Sequence, residues 1–173
     1  MSLAGIILGD RSSDCLASLR AASAAGEIVL RDARRWSAMR EYFAGAPEQG
    51  DPLIYEIYTW NDGHAPTNLL STITVLHAGR IGDEFYHTKG HFHTDPDGSE
   101  FVVGYFGEGV LQTGTRAGAV TETQIMRGAH LVIPDSRAHR VVNRGEEAAV
   151  YLSVSSAGVG HDYDSVSACG WRG

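Results

Sequence analysis

Cysteine is scarce in this chain: Cys15 and Cys169 stand near its two ends, with no CxxC spacing. That excludes a disulfide framework and a thiolate metal site. Lysine is nearly absent, and 14 basic side chains face 21 acidic ones, a formal net charge of −7. Such a balance disfavours nonspecific binding to nucleic acid or to an anionic membrane. It does not exclude a small phosphorylated ligand, which needs only local donors. No apolar run approaches the length of a membrane span. The early run Ala4-Gly5-Ile6-Ile7-Leu8 is stopped by Asp10 and Arg11, and no basic segment precedes it. We therefore expect no signal peptide and a cytoplasmic protein. Internal repeats and low-complexity tracts are missing as well.

What is present is an ordinary globular composition, 43% hydrophobic and 20% charged over 173 residues. That length suits one domain with a sizeable core. Glycine is abundant at 21 residues and β-branched residues are frequent, which points to an all-β chain with many turns. Helix-friendly composition is confined to residues 11–45, with short helices expected over 14–20 and 34–43 and a strand near 26–30. The Pro- and Gly-containing stretch 46–52 reads as a loop that sets an N-terminal α/β arm, residues 1–50, apart from a body, residues 51–173. From Leu53 the period is two. Strands are expected at 53–60, 69–76, 84–88, 90–94, 100–106, 109–114, 120–126, 130–133, 139–143 and 148–155, separated by turn signals. Many short strands at this spacing indicate a sandwich or barrel. The polar, Gly-rich end from Ala157 should wrap over the body.

Eight histidines are many for this size. His91-Phe92-His93 places two imidazoles on one face of a strand. The turn Asp95-Pro96-Asp97-Gly98 reverses the chain, and Glu100 then opens a strand that can return to the same face. Later comes Gly128-x5-Pro134-x4-His139-x3-Asn143, whose turn at Pro134 swings His139 inward from another strand. Three neutral imidazoles and one carboxylate suit a divalent transition metal with open positions for water or substrate. Iron, manganese, nickel and zinc all accept such a set. His64, His77, His87 and His130 are expected to be structural or exposed.

The two motifs resemble those of the cupin family, a double-stranded β-helix or small jelly roll. One glycine of the second motif is Ser136 here, which a turn tolerates. The string Gly82-x-Glu84-Phe85-x-x-Thr88-x-Gly90-His91-x-His93 looks like the signature of the cupin-type glucose-6-phosphate isomerases. Arg34-Arg35 with Met39 and Tyr42-Phe43, Tyr55-Glu56-Ile57-Tyr58, and Gly160-His161-Asp162-Tyr163 extend that resemblance from about residue 30 to residue 171. It implies interconversion of glucose 6-phosphate and fructose 6-phosphate through an enediol. One divalent ion per chain would be held by His91, His93, Glu100 and His139. Glu100 would carry the proton, as ligand, base or both in turn, and His161 would assist ring opening or proton transfer. Thr88, Gly90, Tyr55 and Tyr163 would surround the phosphate. A homodimer is implied too. The family commonly has a tyrosine where this chain has Ser155, so a phenol that could contact the sugar is missing. Two competing readings are a cupin dioxygenase, which would want an apolar pocket, and a non-enzymatic sugar-binding cupin, which would not need an open metal position.

Overall fold

The computed structural model describes residues 12–60, 68–95 and 97–172. The apolar run at 4–8, His64 and Pro96 lie outside the described residues.

Helix α1 spans Ser12–Ala24. It buries Cys15, Leu19 and Ala22, a spacing that puts them on one helical face. It ends in a Schellman closure: the Glu27 N–H donates to Ala22 O and the Gly26 N–H to Ser23 O. Gly26 takes the left-handed conformation this closure requires, at φ 75. Strand β1, Ile28–Arg35, follows and leads into the one-turn helix α2, Trp36–Met39, and a 3₁₀ turn, Arg40–Tyr42. The helix expected over 34–43 therefore starts two residues late. Arg34 and Arg35 pair with Tyr55 and Leu53 instead, so ladder hydrogen bonds override local helix preference.

The remaining strands are β2 (Leu53–Trp60), β3 (Leu69–Leu76), β4 (Arg80–Ile81), β5 (Glu84–Phe85), β6 (Phe92–His93) and β7 (Glu100–Phe106). Then come β8 (Gly109–Gly114), β9 (Val120–Ile125), β10 (His130–Ile133), β11 (Ala138–Val142), β12 (Ala149–Ser156) and β13 (His161–Asp162). A six-stranded sheet runs β1-β2-β3-β12-β7-β10, and a three-stranded sheet runs β11-β8-β9. Every pairing between these strands is antiparallel. This is the expected all-β jelly roll, a double-stranded β-helix. The N-terminal strand β1 is an edge of the large sheet.

Two expected strands are much shorter than their sequence pattern. Only 84–85 and 92–93 form ladders, because the intervening chain changes partners. His87 bridges Val142, His91 bridges His139, and Phe92–His93 pair with β13. No single neighbour runs alongside long enough for a continuous strand.

The main core lies between the sheets and includes Ile54, Leu76, Val102, Leu111, Ile133 and Val141. A second cluster lies under α1 on the outer face of the large sheet, where Leu19 meets Tyr58, Ile73 and Val150. A third joins Phe92 and Ala138 to Val166, Cys169 and Trp171 of the tail. The tail thus closes over one end of the body, as its composition suggested. Asn143 is fully buried and binds the carbonyls of Leu76 and Glu147 through its Nδ2, which fixes the turn after β11. Among the described residues no helix is long and apolar enough to cross a membrane.

Candidate metal centre and substrate cavity

His91, His93, Glu100 and His139 converge. Each offers one ligand atom, and the four atoms lie within 4.8 Å of one another. Two backbone hydrogen bonds hold His91 opposite His139, from His91 N to His139 O at 3.2 Å and from His139 N to His91 O at 2.9 Å. Residues directly opposite in an antiparallel bridge project to the same side. His93 arrives from β6, with its Nδ1 against the Gly98 carbonyl, leaving Nε2 to face the centre. Glu100 opens β7, and its Oε2 lies 3.3 Å from Nε2 of both His93 and His139.

The donor set fits a divalent cation. Nε2 of His91 is buried with no hydrogen-bond partner. A buried unpartnered polar atom is costly unless something occupies it. Burial holds the His91 ring far below its ordinary pKa, aided by the neighbouring His139 and His161 rings, so it is neutral. For Glu100, burial works towards a higher pKa. The His139 and His93 rings and the Ser153 hydroxyl outweigh it, and the carboxyl lies well below its usual range. A neutral imidazole and an ionised carboxylate are the forms that ligate. At His93 burial lowers the pKa, but Glu100 and the Gly98 carbonyl more than offset it, and the net direction is upward.

A cavity of about 160 Å³ opens from these ligands. Its floor is the inner face of the large sheet. Thr72 pairs with Ser153 and Thr74 with Tyr151 across β3 and β12, and Ser155 lies opposite Glu100 across β12 and β7. All five of these hydroxyl-bearing residues line the cavity. The buried Tyr151 phenol is bonded to Thr74 and Thr88, and burial pushes its pKa up. None of these residues except Ser155 stood out in the sequence. Their one available signal is the alternation of hydroxyls along Thr72-x-Thr74 and Tyr151-x-Ser153-x-Ser155.

The remaining expected site residues take different places. Thr88 lines the cavity, and its Oγ1 accepts the Val141 N–H at 3.0 Å. Tyr55 lines it while only 4% exposed. His161 and Tyr163 form the wall contributed by the tail. The His161 ring meets His91 edge-on at 4.3 Å, and the Tyr163 ring lies 5.6 Å from His91. Burial, with His93 beside it, lowers the pKa of His161. Gly90 faces the tail: a Cβ there would sit 2.7 Å from Cε3 of Trp171. His77 is tied to Glu56 at 3.0 Å, His87 packs tilted against Phe43, and His130 stacks on Phe101.

The Gly90–Trp171 contact carries a prediction. Gly90→Ala should destabilise the fold by about 1–3 kcal/mol through overpacking. Trp171→Ala should cost about 3–5 kcal/mol as a buried aromatic is lost. In the Trp171→Ala background the alanine at position 90 should cost far less, because its obstacle is gone. Thermal melts of the two single variants and the double variant check this; additive losses would show that the two residues do not meet.

The family model of glucose-6-phosphate isomerase matches residues 31–171. The glucose-6-phosphate isomerase of Thermococcus kodakarensis is 34% identical over 143 residues, covering 80% of this chain and 76% of that protein. The enzyme of the same name from Pyrococcus furiosus is 33% identical over 151 residues, covering 84% and 80%. Among solved structures, the oxalate decarboxylase of Lactobacillus farciminis superposes with a TM-score of 0.50 at 18% identity. It covers 63% of this chain and 30% of that one, a likeness of fold alone.

Proposed function

The chain belongs to the glucose-6-phosphate isomerase family, and on that premise we propose which residues perform the isomerisation. The dioxygenase and sugar-binding readings are not favoured by this membership. The observation that carries the assignment is the convergence of His91, His93, Glu100 and His139 at one end of a hydroxyl-lined cavity. These four residues hold one divalent transition-metal ion per chain, of iron, manganese, nickel or zinc class. Such an ion supplies Lewis-acid stabilisation of negative charge on neighbouring oxygens.

The chain's own groups do the rest. The reaction moves a proton between C1 and C2 of the open-chain sugar. Glu100 is ionised and stands beside the centre, so it takes a proton from one carbon, exchanges it with solvent, and gives one to the other. His161 is neutral and faces the same space, where it can pass a proton to or from a sugar oxygen during ring opening. Thr72, Thr74, Ser153 and Ser155 present hydroxyls to those of the sugar. Thr88, Tyr55 and Tyr163, with the backbone around Gly90, receive the phosphate.

Metal-loaded protein should convert glucose 6-phosphate to fructose 6-phosphate; absence of product with every ion of this class would refute the activity. Thr88→Ala should raise KM for the sugar phosphate about tenfold with metal content unchanged. The substitution also strands the Val141 N–H, so about 1–3 kcal/mol of stability should go with it. Thr88→Ser, which keeps the hydroxyl, should restore both. Equal rates on phosphorylated and free sugar would show that no phosphate site exists.

A homodimer and cytoplasmic residence belong to the same proposal. The first has support in Phe101 and Val132, which face each other across β7 and β10 and are exposed; sedimentation tests it. The second goes with a charged substrate that does not diffuse through membranes.

A further inference from the structure

Lys89 is the only lysine among the chain's 14 basic residues. It lines the cavity. Its Nζ lies 4.6 Å from the centre of the Tyr42 ring and 5.7 Å from that of Tyr163. The Tyr163 ring thus neighbours both the ammonium and His91, whose ring centre lies 5.6 Å from its own. A backbone hydrogen bond joins Lys89 to the Tyr55 phenol. Behind it, Arg34 stands opposite Tyr55 in the β1–β2 register, which places both side chains on the cavity side of the sheet. Arg34 is ion-paired with Asp32, and its Nε is buried without a partner. Among the described residues no carboxylate forms an ion pair with Lys89.

We propose that Lys89, backed by Arg34, is the cationic wall that receives the substrate's phosphate and selects phosphorylated over free sugar. The inference rests on the isomerase reading of the cavity and adds the charge that the hydroxyl-bearing Thr88, Tyr55 and Tyr163 cannot supply. An ammonium is a compact point charge well suited to phosphate oxygens. Tyr42 and Tyr163 flank it and restrict where it can sit. Partial burial limits screening, so the attraction survives physiological salt better than a surface contact would. The ion pair to Asp32 occupies one side of the Arg34 guanidinium, and the unpartnered Nε leaves a donor over.

Having one lysine makes a direct test possible. Reductive ¹³C-methylation keeps the charge and gives one side-chain lysine resonance besides the chain terminus. In the zinc-loaded protein, inorganic phosphate should shift that resonance in a saturable way, and free glucose should not. Kinetically, Lys89→Gln should raise KM for glucose 6-phosphate on the order of 10- to 100-fold and weaken competition by inorganic phosphate equally. Lys89→Arg should recover much of both, and Arg34→Gln should give a smaller loss of the same kind. Metal content and melting temperature identify any variant that misfolds. If the protein turns over sugar phosphate but phosphate leaves the Lys89 signal unmoved and Lys89→Gln keeps KM, this inference is overturned and the isomerase reading stands. If phosphate shifts the signal but no sugar phosphate is isomerised, the anion site stands and the isomerase reading fails.

Discussion

Glu100→Gln should lower turnover by about 10² or more, the size of a lost general base, while the protein still binds a divalent ion. Glutamine keeps the shape of the side chain and an oxygen that can coordinate weakly, but it cannot accept a proton. Alanine would be ambiguous, because it removes a ligand together with the base. Glu100 is singled out by position. It lies on the first residue of β7, with its carboxylate 3.3 Å from two imidazoles of the centre. Of the other acidic residues discussed, Glu84 is engaged with the Ala44 N–H at 2.6 Å, and Asp162 binds Ser165 and Arg116. Ser153 is among the groups that lower the Glu100 pKa, so Ser153→Ala should move that pKa upward while the His139 and His93 rings still hold it down. Near-normal turnover by a metal-replete Glu100→Gln protein would move the base elsewhere, with His161 the next candidate.

Removal of the ion should have an effect at least as large. Chelation should reduce turnover by about a thousandfold or more, as expected when several kcal/mol of charge stabilisation disappear. A fresh divalent ion should restore it. His139→Ala should behave like the chelated protein and resist rescue, since it removes the imidazole that β11 contributes to the centre. The histidine-to-alanine protein should also lose metal when measured by elemental analysis. Turnover that survives complete chelation would mean that the four side chains meet for another reason.

The convergence of His91, His93 and Glu100 was legible in the sequence because their spacing is local. His91 and His93 are two apart on one extended stretch, and Glu100 follows a turn. His139 needed the second motif, because the bridge that sets it against His91 joins residues far apart in the chain. The residues proposed to receive the phosphate were readable only through resemblance. Gly90 illustrates the difference: its neighbour Trp171 comes from the far end of the tail, and nothing near position 90 announces that contact. The hydroxyl floor was hidden for a related reason. Thr72, Thr74 and Ser153 look like ordinary strand residues until the β3–β12 register lines them up beside Glu100. Lys89 read as a spacer between Thr88 and Gly90, since only the folded chain brings the Tyr42 and Tyr163 rings to it. The strands were well anticipated where one partner runs the whole length, as at β2, β3 and β7. They were overextended around His87 and His91, where the chain changes partners every few residues.

The most direct measurement is to run the isomerisation of glucose 6-phosphate in deuterated water with metal-loaded protein and to read C1 of the product by NMR. If Glu100 carries the proton through an enediol, the fructose 6-phosphate formed should contain solvent deuterium at C1, and Glu100→Gln should form it at least about 10² more slowly. Fructose 6-phosphate formed at full rate with no deuterium at C1 would indicate direct hydride transfer between the two carbons, and would contradict the role given to Glu100.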